Sequence, residues 1–297
     1  MSATPDQGAA FNNPMGDREA RHRLAVKLRD TIDSAPKHSV IRIAVYSFDR
    51  RDLGDALVAA CDRHVAVQVV INDNWISGQV TRLQRRLGTK IDPRWNDRCN
   101  PRDKPVNPLS TEQPYPEPSF MKVCYRSCRL SGPGNQHMKI YMFSQAGTAA
   151  DVIMVGSNNM TYYAANTHWN DMFTVVGKPA MFATYSTVFR QLAEDTEVAQ
   201  PYLVFRDGNL TTEFGPLQDV PRSQDPVARR LAEVSCAAVG GTGQDGHTVI
   251  RIMMYAWSGD RGRYLARRVA DLDRKGCIVR AILSGARKDV KRVLRRG

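Results

Sequence analysis

A nine-residue stretch occurs twice in the chain, and this repeat limits what the chain can fold into. Residues 40–48 read Val-Ile-Arg-Ile-Ala-Val-Tyr-Ser-Phe, and residues 249–257 read Val-Ile-Arg-Ile-Met-Met-Tyr-Ala-Trp. Each copy is predicted to be a strand followed by a helix and a second apolar strand, at 65–71 and at 277–283. A β-α-β order with a short crossover indicates parallel strands that are buried by helices. The sequence therefore predicts an α/β fold with a mixed sheet flanked by helices and the start of a second, duplicated unit.

The repeat also predicts two domains. We place the first at residues 1–222 and the beginning of the second at 223–297. Asp225-Pro226, a capping residue followed by a first-turn proline, is predicted to open a helix ahead of the second copy. Residues 89–119 are rich in Pro, Asn, Asp and Arg and predict a long exposed loop in the first domain.

The candidate chemistry lies between residues 136 and 159. His137 and Lys139 alternate with apolar residues, so strand alternation predicts one buried face and both polar side chains on the other. A short turn follows, and the next predicted strand ends in Gly-Ser-Asn-Asn at 156–159. An imidazole, a cation, a hydroxyl and a carboxamide at one strand edge are suited to bind phosphate. A His-x-Lys tripeptide alone is also common as a solvated pair.

These residues resemble the half-site of the phospholipase D superfamily, in which His-x-Lys is followed by Gly-Ser-x-Asn. Ser144 departs from the family pattern, which usually has Asp five residues after the lysine. Asn170 and Asp171, at the start of the next predicted strand, resemble the Asn-Glu pair that often follows. The positions that match the motif are His137, Lys139, Gly156, Ser157 and Asn159.

The resemblance implies a phosphodiesterase that works through a phosphohistidine intermediate and uses no metal or other cofactor. His137 is the expected nucleophile, and Lys139 is expected to neutralise the nonbridging phosphate oxygens. Ser157 and Asn159 are expected to donate hydrogen bonds to the same oxygens. Asp171 is expected to orient an imidazole and set its tautomer.

The chain contains one His-x-Lys, whereas superfamily enzymes with two halves in one chain place one in each half. The expected general acid is therefore missing, and the monomer is expected to be nearly inert unless it pairs with a second half-site or forms a homodimer. Further likeness to secreted bacterial phospholipase D-like proteins, including Phe-Asn-Asn-Pro at 11–14, implies a truncated chain and a secreted location. No signal peptide is visible in the sequence.

The substrate stays open at this point. A phospholipid is the expected phosphodiester, a nuclease of the same superfamily is the alternative, and an inactive anion-binding fragment is the third possibility. The formal net charge of +12 favours anionic partners such as nucleic acid or anionic lipid. Five of these charges lie in residues 286–297, whose simplest interpretation is a solvated helix face.

Composition excludes some classes of protein. No stretch approaches the roughly 18 apolar residues that cross a membrane. The six histidines are scattered and the cysteines lack metal-binding spacing, which argues against a zinc site. Cys124 and Cys128 flank a predicted turn and would pair in an oxidising compartment but stay as thiols in a reducing one. The six cysteines lie at positions 61, 99, 124, 128, 236 and 277.

Overall fold

A computed structural model describes residues 4–91, 117–132, 134–217 and 220–295. The chain divides into two compact units, Met1–Gly215 and Pro216–Gly297. The predicted boundary at residue 222 lies slightly beyond this division, and the duplication of the first unit in the second stays a prediction. Most of the predicted loop at 89–119 lies outside the described residues.

Seven strands form one mixed sheet in the first unit, in the order β1-β7-β6-β5-β2-β3-β4. β2, β3 and β4 are parallel, whereas β5, β6, β7 and β1 extend the sheet through antiparallel pairs. The α/β fold with a mixed sheet is therefore confirmed. The strands are β1 (Gly8–Phe11), β2 (Val40–Val45), β3 (Ala66–Asn72), β4 (Phe120–Cys124), β5 (Ile140–Ala146), β6 (Ala149–Gly156) and β7 (Asp171–Val175).

Helices cover both faces of this sheet. The Asp17 side chain caps the first helix by accepting a hydrogen bond from the Ala20 N–H. A separate hairpin, β8 (Leu203–Asp207) and β9 (Leu210–Phe214), follows the last helix of the unit. The helices are α1 (Arg18–Asp33), α2 (Arg51–Asp62), α3 (Gly78–Leu87), α4 (Tyr162–Thr167) and α5 (Pro179–Glu194).

Strand β5 is buried on both faces, so the expectation of one polar face was wrong. Tyr141 and Phe143 join the core formed with α1, α2 and α3. Ile140 and Met142 join a second core that packs against α5. The physical reason is position, because β5 lies in the middle of the sheet between β2 and β6 and has helices above and below it.

The second unit contains a smaller sheet. Strands β10 (Val249–Trp257) and β11 (Ile278–Ala286) pair in parallel and are joined by α7 (Gly259–Arg274), the same order as β2-α2-β3. Helices α6 (Pro226–Ala232) and α8 (Lys288–Leu294) complete the unit, and Asp225 caps α6 as predicted. The other face of this sheet is open, with Met253, Tyr255 and Ile282 exposed.

Two disulfides are present in the described residues. Cys124 is bonded to Cys128 just after β4, so the paired alternative is the one found. Cys236 is bonded to Cys277, which ties the segment before β10 to the start of β11, and we call this bond the unit 2 disulfide. Within the described ranges, none of the helices has the length and apolar composition that crossing a bilayer requires.

Candidate active site

His137 and Lys139 lie in the segment immediately before β5, not within the strand. The Lys139 Nζ lies 3.0 Å from His137 Nδ1 and donates a hydrogen bond of 2.6 Å to the His137 carbonyl oxygen. Lys139 is only 4% exposed, whereas the His137 residue is exposed. The motif thus holds a buried amine directly beneath an imidazole that a substrate can reach.

Tyr46 is a third member of this group and was missed by the sequence analysis. Its ring centroid lies 4.8 Å from that of His137, and the Lys139 Nζ lies 5.6 Å from the centre of the Tyr46 ring. Tyr46 follows β2, which pairs with β5, so the sheet itself brings the tyrosine to the motif. The one sequence signal was the recurrence of this tyrosine as Tyr255 in the repeat.

Burial changes the acid–base properties of both motif residues. Desolvation lowers the pKa of Lys139 from 10.5 to about 7. Desolvation also lowers the pKa of His137, and the positive charge of Lys139 lowers it further. Near neutral pH the imidazole is therefore uncharged, and the amine is close to the midpoint of its titration.

Ser157 and Asp171 form a second pair. The Ser157 hydroxyl donates to Asp171 Oδ1 at 2.5 Å, and the Asp171 N–H donates to Ser157 Oγ at 3.1 Å. Asp171 was expected to orient an imidazole, but within the described residues its carboxylate contacts a hydroxyl instead. The Ser157 hydroxyl therefore both donates to and accepts from Asp171.

Gly156 joins this pair to the His-x-Lys segment. Its N–H donates to the Lys139 carbonyl oxygen at 3.2 Å, which joins the backbone just before Ser157 to that of Lys139. A Cβ atom at Gly156 would lie 2.1 Å from the Asp171 carbonyl oxygen, so only glycine allows β6 and β7 to approach this closely here. Backbone packing thus requires the glycine of the motif.

Asn159 is hydrogen-bonded to the residue that follows Tyr46. Its Oδ1 accepts a hydrogen bond from the Ser47 N–H at 3.3 Å, and Ser47 is the residue after Tyr46. This bond fixes the carboxamide orientation and leaves its NH₂ group as the donor. The neighbouring Asn158 is buried, and its carbonyl accepts a 2.5 Å hydrogen bond from the Tyr141 hydroxyl.

Two residues singled out by the resemblance have structural contacts. Ser144, where the family usually has Asp, accepts a hydrogen bond from the Val40 N–H at 2.8 Å and so supports the start of β2. Asn170 is buried, and its N–H donates to Asn12 Oδ1 at 2.7 Å. Asn12 in turn donates to the His168 carbonyl oxygen at 3.0 Å, so the two asparagines hold β1 against β7.

The described residues contain one group with metal-like spacing, at a different place. Cys124, Cys128 and Asp195 bring two sulfurs and a carboxylate oxygen within 4.8 Å of one another. The sulfurs are joined in a disulfide, however, and a metal is bound by thiolates. The Asp195 carboxylate accepts hydrogen bonds from the Tyr125 N–H at 3.0 and 3.2 Å. The disulfide and these hydrogen bonds therefore explain why Cys124, Cys128 and Asp195 lie close together.

A family model described as "Cardiolipin synthase, PLD-like domain" matches residues 28–193, which is more than half of the chain and includes the entire motif. The chain belongs to the phospholipase D superfamily. Members of this superfamily are phosphodiesterases, so the reaction type is hydrolysis or phosphoryl transfer. The recognition made from His137, Lys139 and the Gly-Ser-x-Asn segment is confirmed.

Three solved structures are similar to this chain in fold. NucT from Helicobacter pylori is 16% identical, with 64% of this chain and 98% of that chain covered at a TM-score of 0.41. Nuc from Salmonella typhimurium, a phospholipase D family member, is 19% identical, with 64% and 96% covered at 0.40. Polyphosphate kinase from Porphyromonas gingivalis is 14% identical, with 94% and 38% covered at 0.49. No curated protein sequence matches the chain.

Proposed function

We propose that this superfamily member carries one half of a phosphodiesterase site in which His137 attacks phosphorus. The observation that supports this most is the buried Lys139 amine held 3.0 Å from the Nδ1 of an exposed imidazole. A cation at this position lies where the nonbridging oxygens of a phosphodiester would come to rest during attack. The Asn159 carboxamide adds a hydrogen-bond donor, whereas the Ser157 hydroxyl donates its proton to Asp171.

Substrate binding would prepare the nucleophile by moving Lys139. In the free protein an ammonium at Lys139 donates to His137 Nδ1, which leaves the ring proton on Nε2. When the ammonium turns to a bound phosphate, Nδ1 is released and can carry the ring proton instead. Nε2 then has a free lone pair and faces the phosphorus. The lysine thus both neutralises the substrate and sets the tautomer of the histidine.

The covalent steps follow from this arrangement. The Nε2–P bond forms as the bond between phosphorus and the leaving oxygen breaks, and the leaving alkoxide takes a proton from a general acid. Water then attacks phosphorus and gives one proton to the deprotonated general acid, the P–N bond breaks, and a phosphomonoester and the free imidazole are released. Because the chain holds one His-x-Lys, we assign the general acid to a second half-site, supplied by a second copy or by a further segment.

A phospholipid is the substrate that the surroundings of the site favour. Phe11, Trp169 and Phe173 are 55%, 55% and 42% exposed. Phe11 is the cross-strand partner of Asp171, and Phe173 is two residues further along β7 on the same face. Exposed aromatic side chains are typical of surfaces that meet the lipid–water interface. Nucleic acid is the second candidate, supported by the net charge of +12.

The nucleophile is tested by trapping the covalent intermediate. An aryl phosphodiester with a nitrophenolate leaving group needs little acid assistance, so the chain should release close to one equivalent of nitrophenol in a burst even without a second half-site. The phosphoryl group should be found on His137 by mass spectrometry. The variant His137→Asn should show no burst, and His38→Asn, at an exposed histidine outside the site, should behave as wild type. A full burst in His137→Asn would exclude this nucleophile.

The substrate class is tested by replacing two of the exposed aromatic residues named above. Trp169→Ser/Phe173→Ser should lower turnover of phosphatidylcholine vesicles while the burst with the soluble aryl ester is retained. Wild type and the double variant are compared with a second half-site present, supplied by a second copy or by a further segment. A single-stranded oligonucleotide is assayed beside the vesicles. Cleavage of the oligonucleotide with inert vesicles would assign the site to nucleic acid and leave the histidine mechanism intact.

A further inference from the structure

The second unit contains a cavity of about 470 Å³ that is lined by arginines. Arg222 comes from the turn before α6, Arg229 from α6, and Arg267 and Arg268 from α7, so one turn and two helices place four exposed arginines around this cavity. The volume is in the range of small-molecule sites, which is roughly 300–1,000 Å³. We call this cavity the arginine groove, and its lining residues are Arg222, Ser223, Ala228, Arg229, Ala232, Tyr264, Arg267 and Arg268.

The positive charge of the arginine groove is not neutralised by the nearby carboxylate. Asp225, next to the groove, accepts hydrogen bonds of 2.6 and 3.2 Å from Arg261 and another from the Tyr264 hydroxyl. Burial alone would raise the pKa of Asp225, but these partners hold it at about 2. Arg261 is not among the groove arginines. Among the described residues, none of the four groove guanidinium groups forms an ion pair with a carboxylate.

The shape of the arginine groove also favours a bound group over a bare basic surface. Ala228 and Ala232 form part of its wall, and their small side chains leave space between α6 and α7. The Arg222 guanidinium lies 5.3 Å above the ring of Tyr264, which restrains this long side chain at the rim. Four like charges around one cavity repel one another, and an anion that entered the cavity would relieve that repulsion.

We propose that the arginine groove binds an anion carrying two or more phosphate groups. Guanidinium groups present paired N–H donors that match phosphate oxygens, and they bind phosphate more specifically than an ammonium does. Four guanidinium groups offer more hydrogen-bond donors and more positive charge than a single phosphate group needs. The phosphates could belong to a soluble polyphosphate or to a phosphorylated lipid headgroup, since both offer the same oxygens. The groove lies entirely within the second unit and uses none of the motif residues, so this site goes beyond the proposed phosphodiesterase chemistry.

Binding is tested with the full chain by isothermal titration calorimetry against inorganic tripolyphosphate. Losing two charge-assisted contacts should weaken binding by at least about tenfold in Arg267→Gln/Arg268→Gln. The control Arg251→Gln/Arg287→Gln removes the same charge from exposed positions of the same unit and should change the affinity by less than about threefold. Circular dichroism should show the same folded content in all three proteins.

A second variant distinguishes binding inside the arginine groove from general electrostatic attraction of the anion to the surface. Ala232→Trp fills the groove without changing the charge and should also abolish binding, whereas a purely electrostatic surface would still attract tripolyphosphate. Vesicles of phosphatidylcholine with and without a phosphatidylinositol bisphosphate identify the source. Vesicle binding that tripolyphosphate competes away would indicate a lipid headgroup, and tripolyphosphate binding with no vesicle binding would indicate a soluble ligand. Equal losses in both arginine double variants, unchanged binding in Ala232→Trp, or no saturable binding to either probe would overturn the proposal.

Discussion

Replacing Lys139 by methionine should stabilise the protein while removing its proposed activity. The methionine keeps the length of the buried side chain but has no charge to desolvate. The pKa of Lys139 falls from 10.5 to about 7 on folding, so between these values the unfolded chain binds more protons than the folded one. The stability of the wild-type protein must therefore rise as the pH increases through this window, and that of Lys139→Met should lack this contribution.

The size of the effect follows from the two pKa values. A tenfold change in the acid dissociation constant corresponds to about 1.4 kcal/mol, so the full difference is about 5 kcal/mol. Nearly all of this destabilisation of the folded protein by the buried lysine is present at pH 6, and about 2 kcal/mol of it is left at pH 9. The advantage of Lys139→Met over wild type should accordingly shrink by about 2 to 3 kcal/mol between these pH values. This difference does not depend on how well methionine packs, since packing contributes equally at both pH values.

Urea unfolding at pH 6, 7, 8 and 9, followed by circular dichroism and tryptophan fluorescence, measures this difference. The matched control is Lys37→Met, which removes the same charge from an exposed position and should keep a constant offset from wild type. A stability difference between Lys139→Met and wild type that stays flat across the series would show that the amine is not held with a lowered pKa. The tautomer mechanism would then lose its basis.

Three other predictions concern the same two units. Gly156→Ala would place a Cβ 2.1 Å from a backbone oxygen of the next strand and should destabilise the first unit by about 2 kcal/mol or more in urea unfolding, whereas Gly132→Ala, in open space, should not. The burst rate with the aryl ester should fall at low pH as His137 is protonated, and it should also fall above about pH 7 as Lys139 loses its proton. A burst rate that is constant from pH 5 to 9 would contradict these roles. Cys236→Ser removes the unit 2 disulfide, which spans a sequence separation of 41, and should destabilise that unit by about 4 kcal/mol under oxidising conditions but not in reductant.

Local patterns in the sequence were enough to predict the strands and helices that bury apolar residues. The apolar stretches at 40–45 and 65–71 correspond to β2 and β3, because each strand is specified by its own side chains. The cap at Asp225 was equally local and is found where predicted. Family membership could be inferred because His137 and the Gly-Ser-x-Asn segment are close in the chain.

The remaining features depend on partners that are distant in sequence. The Tyr46 ring meets His137 only because β2 and β5 pair, and no periodicity in either strand specifies that pairing. The same holds for Asn12 and Asn170, which are 158 residues apart. The start of β5 at Ile140 was also misjudged, since the His137 carbonyl accepts a hydrogen bond from the Lys139 side chain and does not join a strand ladder. The arginine groove gave no sequence signal, because its four arginines are spaced irregularly over two helices and a turn.

The open face of the β10–β11 sheet bears on how the protein behaves in concentrated solution. Arg251 and Arg280 are direct neighbours across this ladder, beside the exposed Met253 and Ile282. An uncovered apolar sheet face invites a second copy to stack on it, but two adjacent guanidinium groups repel their counterparts on an identical face. Salt weakens this repulsion while leaving the apolar attraction intact. Self-association through this sheet should therefore grow with ionic strength, and dilute buffer should keep the chains apart better than concentrated salt.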